Sequence, residues 1–392
     1  MSRMPLHAVI IAALASIVGC AANASKTPPP PRVVDIKAAD GTILKGTLYP
    51  AAVDGPAVLL LHQCDEQRKV WDALGTRLAA AGITALAIDY RGYGESGGTP
   101  YNKLSNIELT KMMATTWPTD IDTAFAFLSR QPGVKMDRVG AGGGSCGVNN
   151  AVQLARRHDN VKALALLAGP TDRDGRLFLA GATAPPVFAA AAADDKYANF
   201  VQIMSWLYGV SPHAESRLAQ YPTGGHAAII FNTYPGLADT IAKWFAAVLP
   251  STPGALPTTN GVPLAPAILT ELHDIDQPGG AAAAIKRLGT SAPHGPLVPE
   301  YFVNQLGYEH MLMKDNAGAI DLMKLNTVLY PTSPNTMDSL GDVYLAAGDK
   351  GAALETAKRT LVLLEHDTVD TSQRKTDLRN AAEGKIKQLS GR

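Results

Sequence analysis

This chain of 392 residues carries no charge excess: 35 lysines and arginines face 35 aspartates and glutamates. No basic run interleaved with aromatics occurs, so nucleic acid is not an expected partner, and nothing global draws the chain to an anionic membrane surface. Cysteine is scarce, with only Cys20, Cys64 and Cys146. That excludes a disulfide-built scaffold, and with no paired-cysteine motif and no H-E-x-x-H, no metal or other cofactor is expected. Long apolar runs are also wanting. The N-terminal run from Ala8 to Val18 is too short to span a bilayer comfortably. What remains is 46% hydrophobic and 18% charged, a globular composition, and long enough for two domains.

An arginine followed by that short apolar run has the form of an export signal. Ile17-Val18-Gly19-Cys20 resembles the bacterial lipobox, in which the cysteine becomes the lipidated first residue; Ala22-Asn23-Ala24 offers an ordinary cleavage site instead. Either exit takes the mature chain out of the cytoplasm: to the cell envelope (periplasm or outer membrane), with the lipid on Cys20 as its only membrane attachment, or to secretion. Residues 1–24 are therefore read as signal, and 25–31 as a stiff proline-rich spacer.

From 32 to 250, apolar strand-like runs alternate with helical patterns. A hairpin is expected over 33–50, then strands at 57–62, 83–90, 138–143, 162–169, 186–193 and 215–222. Helices are expected over 70–82 and from an N-cap at Thr119 to Pro132-Gly133. Such alternation predicts an α/β fold with a mostly parallel sheet covered on both faces, in which functional residues stand just past the carboxyl ends of strands. Residues 251–265 read as a linker. Beyond it, 266–392 reads as helical, with Leu306-Gly307 recurring as Leu340-Gly341 and Ala319 as Ala353, the 34-residue period of tetratricopeptide units. Such a short array is expected to pack on the first domain or on a protein partner.

Gly143-Gly144-Ser145-Cys146-Gly147 fits G-x-S-x-G between a strand and a helix. The tight turn demands small flanking residues, and the glycines are symmetric about Ser145, whereas centring on Cys146 would place Val148 where a small residue is required. Ser145 is therefore the expected tip, with the Cys146 N–H beside it. A serine nucleophile requires a base and an orienting acid. His226, in a Gly-Gly loop after the last strand, is the expected base; the other histidines lie at helix ends, in turns, closing an early strand or outside the first domain. Asp195 is the preferred acid. Asp194 is its alternative or a cap for a helix starting near Lys196, and Asp172 and Asp174 are weaker candidates. His62-Gln63-Cys64 follows an early strand and offers backbone donors at Gln63 or Cys64 for an oxyanion hole completed by Cys146. Tyr101, Met113 and Trp117 either line a substrate pocket or pack an amphipathic surface stretch.

With these motifs and "DYRGYGESGG" at 89–98, residues 32–250 resemble the α/β-hydrolases, nearest the dienelactone-hydrolase-like and serine-esterase branches. The resemblance implies a Ser145–His226–Asp195 triad hydrolysing a small-molecule carboxylic ester through an acyl-enzyme. Three departures stand out: Gln63 where glycine is usual, Val148 for a frequent second glycine, and serine where dienelactone hydrolases proper use cysteine. An inactive envelope scaffold binding a partner through its repeats, and a peptidase on the same fold, are the rival readings. Cys64 and Cys146 would flank one oxyanion hole, where they either pair as a disulfide or remain as two small buried thiols.

Overall fold

The computed structural model describes residues 27–197, 199–250, 252–289 and 298–390. The segment read as an export signal, Cys20 and the start of the proline-rich stretch lie outside the described residues. Eight strands form one sheet: β1 Arg32–Lys37, β2 Ile43–Tyr49, β3 Gly55–Leu61, β4 Thr84–Ile88, β5 Val134–Gly144, β6 Val161–Leu167, β7 Val187–Ala192 and β8 Arg217–Tyr221. Their spatial order is β1-β2-β4-β3-β5-β6-β7-β8. β2 runs antiparallel to β1 and β4, and every other neighbouring pair is parallel. Strands β4 and β7 are buried at every position, as a parallel sheet covered on both faces requires. This is the mostly parallel α/β sheet that the alternation of elements implied, in the α/β-hydrolase fold that the resemblance implied.

The covering helices are α1 Asp72–Ala80, α2 Asn106–Thr115, α3 Trp117–Ser129, α4 Cys146–Arg157, α5 Arg173–Leu179, α6 Phe200–Val210, α7 Ile230–Thr233 and α8 Pro235–Val248. One expected helix start is corrected. α3 begins at Trp117 after Thr116, with Pro118 in its first turn, and Thr119 lies inside the helix, donating its hydroxyl to the Thr116 carbonyl. Proline preset the first turn, which outweighed threonine's capping preference.

Residues 252–265 contain no helix or strand but do not hang free. Gly261 N–H donates to Leu218 O at 2.9 Å, and Asn260 exchanges bonds with the Gln220 backbone at 3.2 and 2.7 Å. The segment thus covers the outer edge of β8, which would otherwise present unpaired backbone. Seven helices follow: α9 Pro266–Ile275, α10 Gly280–Leu288, α11 Glu300–Leu312, α12 Asn316–Leu329, α13 Pro334–Ala346, α14 Lys350–His366 and α15 Ser372–Leu389. α11 and α13 start 34 residues apart, as do α12 and α14. Gly307 and Gly341 occupy equivalent places in the two pairs. A Cβ on Gly307 would lie 2.6 Å from Met323, and one on Gly341 would lie 2.8 Å from Thr356, so each glycine admits close approach of its helix partner.

The helical part is fastened to the α/β part by a shared apolar cluster and by ion pairs. Trp206 of α6 packs with Leu272, Ile275, Phe302 and Leu306. Arg176 of α5 grips Glu309 with two bonds of 2.7 and 2.5 Å and lies 4.3 Å over the Trp206 ring. Arg173 holds Asp276 at 2.9 Å.

Candidate active site

Four loops leaving the carboxyl ends of parallel strands converge: 62–64 after β3, 145 after β5, 193–197 after β7, and 222–228 after β8. This is where a sheet of this kind assembles its ligand sites. The β5–α4 turn is as tight as its glycines suggested. A Cβ on Gly143 would lie 2.0 Å from the Gly147 carbonyl oxygen, and one on Gly147 would lie 2.3 Å from that of Leu61. Ser145 sits at the tip with φ 52 and ψ −120, a left-handed backbone that a non-glycine residue adopts at a cost of about 1–3 kcal/mol. Its N–H donates to Leu167 O at 2.9 Å, which pins the tip to β6. Gly169, past the end of β6, fits under the Ser145 carbonyl where a Cβ would come within 2.2 Å. Cys146 opens α4, so its N–H is one of those with no acceptor inside the helix.

His226 follows Gly224 and Gly225, whose φ values of 137 and 71 call for glycine. Its side chain is 4% exposed, and Nδ1 lies 2.7 Å from Asp195 Oδ2, itself on a side chain only 2% exposed. A carboxylate at that distance accepts the Nδ1 proton, which leaves Nε2 as an acceptor. Nε2 is buried and without a hydrogen-bond partner among the described residues. The histidine loop abuts the serine turn: a Cβ built on Gly144 would meet the Ala227 Cβ at 3.2 Å. Asp195 also accepts from Tyr197 N–H at 2.9 Å, which fixes the carboxylate.

The other acids have different duties. Asp194 caps no helix. It accepts from Gly225 N–H at 2.9 Å, tying down the histidine loop, while α6 begins only at Phe200. Asp172 is the N-cap of α5, bonded to Gly175 N–H at 2.7 Å, and Asp174 pairs with Arg156 at 3.1 Å, so neither reaches the imidazole.

Cys64 and Cys146 are joined by a disulfide with Cα atoms 5.8 Å apart, linking the loop after β3 to the residue after Ser145. His62 is fully buried. Its Nε2 accepts from Tyr90 N–H at 3.1 Å and its Nδ1 faces Gln63 O at 2.6 Å. Burial pushes the imidazolium of His62 down to about 4, so this ring is a neutral brace rather than a base. The "DYRGYGESGG" turn is also bracing: Asp89, fully buried, accepts from Arg68 N–H at 2.7 Å and Glu95 N–H at 3.0 Å and pairs with the Arg68 guanidinium.

Of the three residues offered as pocket lining, Trp117 is corrected. It has no exposed surface and stacks on Tyr90 at 4.1 Å inside the core, where its large apolar ring is best buried. Met113 is half-buried against the same core, and Tyr101 stacks at 4.2 Å on Tyr93. The rings beside His226 are others, Tyr197 at 4.7 Å and Phe200 at 5.3 Å. Their position within five residues of Asp195 was the one signal that could have found them. An ion pair between Lys196 and Asp65 bridges the loops after β7 and β3.

Relatives are similar over parts of the chain. A polyketide transferase of Stachybotrys chlorohalonatus is 29% identical over 142 residues, 36% of this chain and 44% of the relative. A thiohydrolase of Arthrinium phaeospermum is 29% identical over 130 residues, 33% of this chain and 40% of the relative. The chain thus spans less than half the length of these curated relatives. Among solved structures, an esterase of Pyrococcus furiosus aligns with 17% identity over 56% of this chain and 94% of its own, with a TM-score of 0.45. Residues 45–237 match the sequence model of the Dienelactone hydrolase family.

Proposed function

We propose that the protein is a serine hydrolase acting on carboxylic esters. The observation that carries this reading is the buried His226–Asp195 pair, whose free Nε2 lies in a loop packed against the strained Ser145 turn. In this reading His226 Nε2 takes the Ser145 proton as Oγ attacks the ester carbonyl carbon. Asp195 holds the tautomer and stabilises the imidazolium. Backbone N–H groups of Cys146 and of Gln63 or Cys64 receive the oxyanion, a contribution of about 3 kcal/mol per donor. Collapse of the tetrahedral intermediate expels the alcohol with the proton from His226. Water, deprotonated by the same ring, then attacks the acyl-enzyme, and the acid leaves.

The relatives named thiohydrolase and polyketide transferase favour a second reading, in which the acyl donor is a thioester. It uses the same groups and differs only in the leaving atom. The 34-residue step of the helix starts supports reading 299–392 as tetratricopeptide-like units, whose inner members bear on the hydrolase segment. The signal at 1–24 and Cys20 support export as a lipoprotein, and a disulfide suits an oxidising compartment.

Short-chain p-nitrophenyl esters and acyl thioesters, offered to the wild type and to Ser145→Ala, test the proposal. We expect turnover by the wild type and a loss of about a thousandfold or more in the variant. Equal inertness of the two on esters, thioesters and a peptide panel would leave the scaffold reading in its place.

A further inference from the structure

Gln63 departs from the glycine usual in such loops, and its side chain does something a glycine could not. It is 1% exposed and so is out of reach of a substrate in solvent. Its carboxamide spans the histidine loop. Nε2 donates to the His226 carbonyl at 3.3 Å, and Oε1 accepts from Ala228 N–H at 3.0 Å. These two backbone groups flank Ala227, which stands at φ 49, a left-handed conformation that an alanine does not adopt freely. The amide therefore mimics a strand partner for one residue and holds the unfavourable turn closed. His226 is the residue immediately before that turn, so the direction of its ring depends on it.

We infer that Gln63 is a positioning residue for His226: its side chain fixes the Ala227 turn so that Nε2 faces Ser145, while its backbone belongs to the oxyanion loop. This rests on the serine-hydrolase reading. One tripeptide then serves three ends. His62 braces the Gln63 carbonyl, the Gln63 amide holds the histidine loop, and Cys64 is bonded to the residue after the serine. The loop after β3 ties base and nucleophile turn into one unit.

The test uses the full chain with Gln63→Met, which keeps the length of the side chain and removes both hydrogen bonds, and Gln63→Glu, which keeps the acceptor. Melting temperature and the intact disulfide report that each variant is folded. We expect Gln63→Met to lose about ten- to a hundredfold in kcat with little change in KM, because a base misplaced by a fraction of an ångström affects the chemical step more than binding. Phosphonylation of Ser145 by a fluorophosphonate should slow in parallel. In Gln63→Glu the introduced carboxyl faces the His226 carbonyl and the Asp65 carboxylate with its Lys196 partner. Ionised, it repels the carbonyl; protonated, it donates to it. Its activity relative to wild type should therefore rise as pH falls from 8 towards 5.5, while that of Gln63→Met stays flat. A folded Gln63→Met with wild-type kcat, or a Glu variant whose relative activity ignores pH, overturns the inference. Inert wild-type protein would instead overturn the hydrolase reading beneath it.

Discussion

Three non-glycine residues with positive φ border the site: Ser145, Ala168 and Ala227. Each is held by contacts from another strand end, with Ser145 N–H on Leu167 O and Ala168 N–H on Ala190 O, both at 2.9 Å, and Ala227 bracketed by Gln63. Such strain persists only where its surroundings over-determine it. The disulfide belongs to the same set of constraints. It closes a span of 82 residues, which in the loop-entropy picture stabilises the fold by about 4 kcal/mol. Reduction should therefore lower the melting temperature and, by loosening the loop after β3 from the turn at Ser145, lower kcat as well. Calorimetry and ester turnover with and without dithiothreitol check this. Two free thiols in the protein as isolated would remove the premise. Ser145, His226 and the acid pair could be read from the chain because their spacing follows strand ends. The Gln63 clasp could not, since nothing local to residue 63 says that its amide ends up against residues 226 and 228.

At the level of elements, strands were easier to place than helix starts. β3, β4, β6 and β7 are short apolar runs bounded by turns, and a covered parallel sheet leaves them few alternatives. α3 starts ahead of the expected Thr119 cap because a threonine cap and a proline first turn compete within four residues. The sequence leaves Trp117 between a pocket and a surface stretch because an amphipathic pattern does not reveal which side of a segment meets the core. The junction of α5, α9 and α11 carries a pH dependence. His310 is buried, with Nε2 3.0 Å from Asp276 and Nδ1 2.7 Å from Asp315, which also caps α12. Both ring nitrogens face carboxylates, so these contacts favour the imidazolium, which donates from both. The bond that Nε2 donates to Asp276 foremost, with the aid of Asp315, raises its pKa against the opposing effect of burial. Arg173 shares Asp276, and Arg176 with Glu309 stands on the neighbouring turn. A raised histidine pKa stabilises the fold fully below the unfolded value near 6.5, and that contribution is lost as pH rises through the folded value. Melting temperature should therefore fall between pH 6 and 9 more steeply in wild type than in His310→Gln. Identical slopes would show that the pair contributes nothing.

Across the whole molecule, the α/β part follows a fold whose chemistry is set by its loops. The helical part lies on α5 and α6, and α6 opens with Phe200, the ring stacked on His226. The linker between them is bound along β8 rather than free, which composition alone could not reveal: a Pro-, Thr- and Gly-rich stretch reads the same whether it is docked or loose. The central claim is that one serine is activated by one histidine. It is tested most directly by treating the folded chain with a fluorophosphonate and locating the adduct by peptide mass spectrometry. The account predicts a single adduct on Ser145, absent in Ser145→Ala and formed at least about a hundredfold more slowly in His226→Gln. An adduct on another residue with ester turnover intact, or labelling of Ser145 at an undiminished rate without His226, would contradict it.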